Sequence, residues 1–213
     1  MRGAYVLAVI LTALAAGGGA SAQNAARNSA QNAPAPPRAA PARLETAVFA
    51  GGCFWSTEAN FEHMPGVVSA VSGFSGGRVA DPSYEQVVRG GTGHLEAVQV
   101  VFDPARITYR QLVDRFWRTI DPTDAQGQFC DRGASYRTAV FATAAQRPVA
   151  EASRAAAVAA LPGKRFMTPV LDAARFWPAE AYHQDFARRN PARYAGYSRF
   201  CGRAARLRAV WGG

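Results

Sequence analysis

The stretch of sequence that decides the fold is Phe49-Ala50-Gly51-Gly52-Cys53-Phe54-Trp55-Ser56-Thr57-Glu58. Residues 45–50 read as a short strand, and Gly51-Gly52 read as a tight turn. Residues 53–63 follow with the apolar spacing of a helix. A strand, a turn and a helix in this order put the sulfur of Cys53 in the first turn of that helix.

Cys53 is placed for chemistry in such an arrangement. Unpaired backbone N–H groups and the positive end of the helix dipole favour a thiolate over a thiol at a helix start. We therefore predict that Cys53 is a nucleophile with a lowered pKa. A buried cysteine that only packs is the alternative that the spacing leaves open.

The 213 residues divide into three parts by composition. Residues 1–22 have a basic start, an apolar run and Ala20-Ser21-Ala22, the pattern of a secretory signal peptide, with an uncleaved anchor as the alternative. Residues 23–43 are rich in Ala, Pro, Asn and Gln and predict a disordered linker. We expect one folded domain over residues 44–213 and an exported, periplasmic protein.

The net charge of +9 falls to +8 when Arg2 leaves with the signal peptide. The arginines are scattered, with the densest group near the C-terminus, so we interpret them as a solvated helical surface suited to anionic membrane or cell-wall material. We expect no nucleic-acid partner and no membrane span after signal cleavage.

The three cysteines, Cys53, Cys130 and Cys201, cannot all pair within one chain. In an exported protein an odd count indicates a reactive thiol, an intermolecular bond or a bond that forms and breaks. Their wide spacing matches neither a CxxC redox motif nor a zinc cluster, so we predict no metal site.

Glu96 occupies an unusual position in the strand predicted over residues 94–102. The alternation puts Glu96 on the same face as Val98, Val100 and Phe102. A buried carboxylate there would have a raised pKa, towards the range of a proton donor. A strand-end glutamate exposed to water is the alternative.

Further along, the sequence predicts helices over 107–120, 144–161 and 178–190, a strand over 136–143 and extended structure over 169–176. Residues 194–213 form a basic, irregular tail. The mixture of strands and helices predicts an α/β (α+β) fold, a two-layer sandwich around a mixed β-sheet with a ferredoxin-like core.

The motifs together resemble those of the peptide methionine sulfoxide reductases of the A type, from about Thr46 to Tyr194. They are Gly52-Cys53-Phe54-Trp55, Tyr84, Gly93-His94-Leu95-Glu96-Ala97-Val98, Asp131, Tyr136-Arg137 and His183-Gln184. The resemblance implies reduction of the S epimer of methionine sulfoxide, free or in proteins, with no bound cofactor and an external thioredoxin-like reductant.

The resemblance also implies a role for each residue. Cys53 would attack the sulfoxide sulfur, Glu96 would protonate its oxygen, and Tyr84 and Tyr136 would donate hydrogen bonds to that oxygen. Asp131 would help shape the site. Phe54 and Trp55 would form the pocket for the substrate's methyl group, with His183 as a supporting residue.

Regeneration of Cys53 needs a second thiol. Many family members carry resolving cysteines in a glycine-rich tail, whereas this tail is arginine-rich and holds only Cys201. We predict Cys201 as the resolving cysteine, carried by a mobile tail, with Cys130 as its rival because it adjoins Asp131.

Two other classes of function remain open from the sequence. A cysteine hydrolase would pair Cys53 with His183 as its base. A non-catalytic module that binds the cell envelope would use the proline-rich linker and the basic surface.

Overall fold

A computed structural model describes residues 43–212 of the chain. The predicted signal peptide (residues 1–22) and all of the predicted linker except Arg43 lie outside the described residues. Within residues 43–212, no helix is both long enough and apolar enough to cross a membrane.

Eight strands and seven α-helices lie within residues 43–212. The strands are β1 (Glu45–Gly51), β2 (Val67–Ser75), β3 (Leu95–Phe102), β4 (Gly127–Gln128), β5 (Asp131–Arg132), β6 (Thr138–Ala142), β7 (Val170–Asp172) and β8 (Phe176–Pro178). The helices are α1 (Phe54–Glu62), α2 (Tyr84–Arg89), α3 (Tyr109–Trp117), α4 (Arg147–Ala159), α5 (Phe186–Arg189), α6 (Pro191–Phe200) and α7 (Arg203–Trp211). A 3₁₀ turn spans Ala134–Tyr136.

Six strands form one mixed sheet in the order β7-β6-β1-β3-β2-β8. The β1–β3, β1–β6, β2–β3 and β2–β8 pairs are antiparallel, and the β6–β7 pair is parallel. Strands β4 and β5 form a separate hairpin. Because β1 and β3 are neighbours at the centre of the sheet, the ends that carry Gly51 and Glu96 lie close together.

The helices cover one face of the sheet. Residues of β1, β3 and β6 on that face pack with α1 to α4 in one buried cluster, in which Phe49 stacks on Phe61 and Phe116. The other face carries a smaller apolar cluster of Ala50, Leu95, Ala97, Ala139 and Phe141. The predicted two-layer architecture is therefore confirmed.

The helix predicted over residues 178–190 is wrong over most of its length, because only α5 (Phe186–Arg189) is helical there. Side chains of the preceding turn bind the backbone of strand β2 and of helix α2 instead of solvent. The Gln184 amide exchanges two hydrogen bonds with the backbone of Ser72, and the Glu180 carboxylate accepts one from the Tyr84 N–H. Asp185 then adopts the left-handed conformation at φ 55°, which a regular helix does not allow.

The C-terminal segment is also more regular than predicted. It forms α6 and α7, separated by Gly202 at φ 60°, rather than an irregular tail. Proline at the first helical position of α6 and many Ala, Arg and Leu residues favour these helices. The Trp211 indole donates to the carbonyl of Ile120, which anchors α7 to the loop after α3.

Candidate active site

The turn from β1 into α1 positions Cys53 at one end of the sheet. Gly52 has φ 79°, and a Cβ there would lie 2.5 Å from the Cβ of Gln128, so glycine is required both for the backbone and for the space. Gln128 is itself fixed, because its amide exchanges hydrogen bonds with the backbone of Asp121. The predicted helix start shifts by one residue, so Cys53 is the N-cap residue of α1.

Glu96 lies beside the first turn of α1. Its carboxylate accepts a hydrogen bond of 2.9 Å from the backbone N–H of Phe54, and only 1% of the residue is exposed. The predicted alternation of β3 is confirmed, since Val98, Val100 and Phe102 belong to the helix-covered core on the same face. Burial raises the pKa of Glu96 to about 8, despite the opposing hydrogen bond from Phe54. The carboxyl group is therefore protonated at neutral pH.

The pKa of Cys53 is shifted in the direction opposite to our prediction. Burial, followed by the negative charge of Glu96, raises the pKa of Cys53 to about 12, and only 6% of the residue is exposed. A helix dipole contributes about 0.3–1 kcal/mol near the helix end, which is too little to offset the loss of water around the thiolate. The resting group is a thiol.

One small cavity of about 50 Å³ brings most of the predicted residues together. It is lined by Cys53, Phe54, Trp55, Tyr84, Glu96, Asp131, Tyr136 and Tyr197. Burial, then the charge of Glu96, raises the pKa values of the Tyr84 and Tyr136 phenols, so both remain proton donors at neutral pH. The cavity thus places a thiol, a carboxylic acid and three tyrosine phenols around one space.

A larger cavity of about 330 Å³ lies elsewhere on the molecule. Leu95, Ala139 and Phe141 line it, and these residues belong to the apolar cluster on the other face of the sheet. Its lining contains neither Cys53 nor Glu96. The chemistry therefore belongs to the small cavity.

His183 lies behind the cavity rather than in it. Its Nδ1 accepts a hydrogen bond of 3.1 Å from the Trp55 indole N–H, and its ring contacts Phe54 and Tyr84. Burial lowers the pKa of His183, so the ring is neutral at neutral pH. The other face of the Trp55 indole stacks on Phe186 at 3.6 Å between ring centroids. His183 therefore holds an aromatic wall in place and is not hydrogen-bonded to Cys53 in the described part of the chain.

Cys130 and Cys201 lie outside the cavity and are joined by a disulfide bond, whereas Cys53 is a free thiol. Cys130 is exposed at the tip of the β4–β5 hairpin, and Cys201 is the C-cap residue of α6. The Phe129 backbone at that tip has φ 57°, and the guanidinium of Arg203 lies over its ring. The disulfide thus ties the hairpin to the C-terminal helices.

The comparisons with known proteins agree with this geometry. The family model for peptide methionine sulfoxide reductase matches residues 45–212. Peptide methionine sulfoxide reductase MsrA 2 of Caulobacter vibrioides is 52% identical over 181 residues, covering 85% of this chain and 92% of that protein. MsrA 2 of Rhizobium meliloti is 49% identical over 172 residues, covering 80% and 85%. This chain belongs to the peptide methionine sulfoxide reductase family.

Solved structures of the family have the same fold. Methionine sulfoxide reductase A of Corynebacterium diphtheriae superposes with a TM-score of 0.62 at 32% identity, covering 72% of this chain and 77% of that one. Mxr1 from Saccharomyces cerevisiae in reduced form gives a TM-score of 0.64 at 31% identity, covering 73% and 90%. The predicted family, the predicted fold class and the prediction of an oxidoreductase are confirmed.

Sequence reasoning missed one residue of the reductase cavity, Tyr197 on α6. Its hydroxyl donates a hydrogen bond to the carboxylate of Asp131. Tyr197 also lines the cavity with Cys53, and its hydroxyl lowers the pKa of Cys53 in opposition to burial. Tyr197 precedes Cys201 by four residues, so the two share one face of α6.

One cluster of potential metal ligands lies within residues 43–212 of this reductase. Cys130, Asp131 and Cys201 place one potential ligand atom each within 4.8 Å of one another. The two sulfurs are bonded to each other, so neither is available as the thiolate that a zinc ion requires. Among residues 43–212 this is the one group of such ligands, and in its disulfide form it does not make a metal site.

Proposed function

We propose that this protein reduces methionine-S-sulfoxide, free or within polypeptides, to methionine, with Cys53 as the nucleophile. The observation that carries the proposal is the small cavity in which the Cys53 thiol, the protonated Glu96 and three tyrosine phenols face one space. Membership of the reductase family supports the substrate class. A hydrolase that uses Cys53 and His183 lacks this support, because His183 accepts its hydrogen bond from Trp55.

In the first step the Cys53 sulfur forms a bond to the sulfoxide sulfur. The oxygen then forms a bond to the Cys53 sulfur, while its bond to the substrate sulfur and the new sulfur–sulfur bond both break. The products are methionine and a sulfenic acid on Cys53. The substrate sulfur gains two electrons and the cysteine sulfur loses two. The step balances in atoms and electrons, because one thiol and one sulfoxide become one sulfenic acid and one thioether.

The raised pKa values fit a mechanism that starts with both groups protonated. Glu96 donates its proton to the sulfoxide oxygen as negative charge develops there, and it is restored by the proton that leaves the Cys53 thiol. At neutral pH the protonated Glu96 carries no charge, so burial remains as the main reason why the Cys53 thiol is not ionised. The Tyr197 hydroxyl lowers the pKa of Cys53 and so favours the thiolate as it forms.

The other cavity residues position the substrate. Tyr84 and Tyr136 donate hydrogen bonds to the oxygen, each with an effect of roughly a few kcal/mol in comparable sites. Phe54 and Trp55 provide the apolar wall for the methyl group, and Trp55 is held between His183 and Phe186. Sulfur–aromatic contact adds only about 0.3–1.5 kcal/mol, so this wall acts mainly through shape.

Regeneration requires the sulfenic acid to be resolved by a thiol. Cys201, in its reduced form, attacks the sulfenic sulfur and releases water, which leaves a Cys53–Cys201 disulfide. Cys130 then attacks the Cys201 sulfur, releases the Cys53 thiol and forms the Cys130–Cys201 bond. The structure has the bonding expected at the end of this sequence, with Cys53 free. A thioredoxin-like dithiol reduces the remaining bond.

The Cys201 thiol must move between two partners in this scheme. Helix α6, which ends at Cys201, has no buried residue, so displacement of the helix exposes little apolar surface. Its contacts with the cavity come from Tyr197, through Asp131 and the edge of Trp55. This light packing supports Cys201 as the resolving cysteine and Cys130 as the second thiol.

We also propose that the protein acts outside the cytoplasm, where it repairs oxidised exported proteins. The support is the basic, apolar and small-residue pattern of residues 1–22. Cell fractionation together with N-terminal sequencing of the mature protein tests this. Recovery from the periplasm with a start near Gln23 is expected, and an intact Met1 in the cytoplasm would contradict it.

The activity is tested by measuring methionine formed from methionine-S-sulfoxide with dithiothreitol as reductant. The wild type is expected to turn over, the R epimer to remain unreduced, and Cys53→Ser to be inactive. Cys130→Ser is the matched control, because it removes a thiol but keeps the nucleophile. Activity that survives in Cys53→Ser would refute the proposal.

A further inference from the structure

The C-terminal segment has a charge distribution that the reduction chemistry does not use. Between residues 186 and 213 the chain carries seven arginines and no aspartate or glutamate. They are Arg188, Arg189, Arg193, Arg199, Arg203, Arg206 and Arg208. Arg188 pairs with Glu62 and Asp185, and Arg206 pairs with Asp121. The segment as a whole is cationic and borders the Cys130–Cys201 bond.

The same segment exposes an unusually large apolar side chain. Phe200, the last residue of α6, is 86% exposed and directly precedes Cys201. A phenylalanine left in water at this level offers a buried contact to a partner. Its position next to the disulfide distinguishes it from scattered surface residues such as Val68, which is 57% exposed on β2.

A cleft lies beside Cys201. Its volume is about 240 Å³, and it is lined by Asp121, Asp124, Phe129, Arg132, Cys201 and Arg206. Cys130, the other half of the bond, is exposed at the hairpin tip. The Cys130 end of the bond therefore faces solvent, beside the residues of the cleft.

We propose that Phe200, Arg199 and the cleft beside Cys201 form the docking surface for the reducing protein. This docking surface would bind a dithiol protein whose reactive cysteine is surrounded by apolar residues with an acidic rim. Phe200 supplies the apolar anchor, and the arginines complement the acidic rim. The inference rests on the proposed function, because it assumes that a dithiol closes each cycle.

The redox step at this surface balances without further reactants. One partner thiolate attacks a sulfur of the Cys130–Cys201 bond and forms a mixed disulfide. The second partner thiol then attacks that mixed disulfide. The partner leaves with its own disulfide bond, and Cys130 and Cys201 remain as thiols. Two electrons and two protons pass from the partner to the reductase.

The charge pattern favours a protein over a lipid surface as the occupant. Arg206 and Arg132 each pair with an aspartate of the cleft, so the cleft has both signs of charge at its rim. A mixed rim around a sulfur suits a complementary protein surface. A bilayer would contact the exposed arginines and Phe200 equally well but would leave the cleft unused.

The test compares two reductants with the same enzyme variants. Methionine formation is followed with a bacterial thioredoxin kept reduced by its reductase and NADPH, and separately with dithiothreitol. Phe200→Ser is expected to raise the KM for thioredoxin about fivefold to tenfold, since a central aromatic contact is commonly worth 1 kcal/mol or more. The rate with dithiothreitol is expected to stay unchanged, because this small thiol needs no docking surface.

Val68→Ser is the matched control for Phe200→Ser, because it removes an exposed apolar side chain on a different element. Arg199→Glu is expected to raise the same KM and to weaken its dependence on salt, whereas Arg115→Glu on α3 is expected to do neither. Both arginines are exposed.

Four outcomes overturn the docking surface. Equal KM values of Phe200→Ser and Val68→Ser for thioredoxin would do so. An equal loss of activity by Phe200→Ser with thioredoxin and with dithiothreitol would also do so, because it would place the defect in the active site. If the wild type turns over with dithiothreitol but not with thioredoxin, the proposed dithiol partner is wrong and the proposed sulfoxide reductase activity is still supported. Binding to phosphatidylglycerol vesicles that depends on Phe200, without a change in KM, assigns the surface to a membrane. Failure with both reductants instead rejects the proposed function.

Discussion

Two parts of the molecule meet at the cavity, and they are built in different ways. The β1–α1 junction is almost completely buried, and the Phe54 N–H, Glu96 and the Gly52–Gln128 contact fix its geometry. Helix α6 contributes Tyr197 from the other side, yet none of its ten residues is buried. The chain thus surrounds one thiol with a rigid wall and a lightly packed helix.

The difference between these two parts corresponds to the two halves of the proposed cycle. Reduction of a sulfoxide needs a nucleophile and an acid held at fixed positions, which a sheet and a packed helix provide. Regeneration needs a thiol that exchanges partners, which a packed core would prevent. We therefore expect changes in the β1–α1 junction to affect the first turnover and changes at the α6 end to affect recycling.

The largest expected effect comes from removing the proton donor. Glu96→Gln keeps the size of the side chain but cannot protonate the sulfoxide oxygen, so the single-turnover rate is expected to fall about 10²–10⁴-fold. In the wild type that rate is expected to decrease as pH rises through about 8, because Glu96 then loses its proton. The variant is expected to lose this decrease.

Glu45→Gln serves as the control for Glu96→Gln, since Glu45 is an exposed carboxylate at the other end of the neighbouring strand. Rapid-quench measurement of methionine over pH 6–10 gives both the single-turnover rate and its dependence on pH. A Glu96→Gln variant with the wild-type rate and pH profile would remove Glu96 from the chemistry.

The next effect concerns recycling and tests the α6 end. Cys201→Ser is expected to complete the first turnover normally and then to stop at about one methionine per enzyme when thioredoxin is the reductant. Cys130→Ser is expected to retain the first turnover and to accumulate a Cys53–Cys201 disulfide. Rapid-quench kinetics and peptide mass spectrometry measure these outcomes.

The opposite pattern for the two cysteines would change the order of the thiols. If Cys130→Ser stops after one turnover with a free Cys201, and Cys201→Ser accumulates a Cys53–Cys130 disulfide, then Cys130 resolves the sulfenic acid. If both variants cycle like the wild type, an external thiol resolves it.

The contrast between the two parts also explains which features the sequence could predict. Gly51, predicted in the turn before Cys53, is instead the last residue of β1. The face of Glu96 follows from local alternation along one strand, and the turn at Gly52 follows from local turn chemistry. Those features depend on neighbours in the chain, and the structure confirms them. The roles of Tyr84, Tyr136 and Asp131 came from the family resemblance and remain predictions.

Other features depend on contacts between distant residues, and the sequence alone did not provide them. The raised pKa of Cys53 results from burial by several elements, which local helix geometry does not report. The pairing of Cys130 with Cys201 and the contact of Tyr197 with Asp131 join segments 71 and 66 residues apart. The turn over residues 179–185 is stabilised by hydrogen bonds from Gln184 to strand β2 and from the start of helix α2 to Glu180, which override helix propensity.

A smaller effect is expected from a backbone change in the rigid wall. Gly52→Ala places a side chain at φ 79° and against Gln128, so the free energy of unfolding is expected to fall by roughly 2–4 kcal/mol from backbone strain and overpacking together. Urea denaturation monitored by circular dichroism measures it. A change below about 0.5 kcal/mol, the usual range for surface substitutions, would show that the junction can relax.

The smallest effect is expected from the matching change in α6, and it has the opposite sign. Gly196 lies inside the helix with an ordinary helical backbone, and a Cβ there would meet nothing within 4 Å. Gly196→Ala is therefore expected to raise the free energy of unfolding by about 0.5–1 kcal/mol, because alanine loses less conformational freedom in a helix than glycine does. The same denaturation experiment measures it, with Gly52→Ala as the contrasting variant. Destabilisation by Gly196→Ala would indicate that α6 is packed as tightly as the β1–α1 junction, and the division between a rigid wall and a light helix would then be wrong.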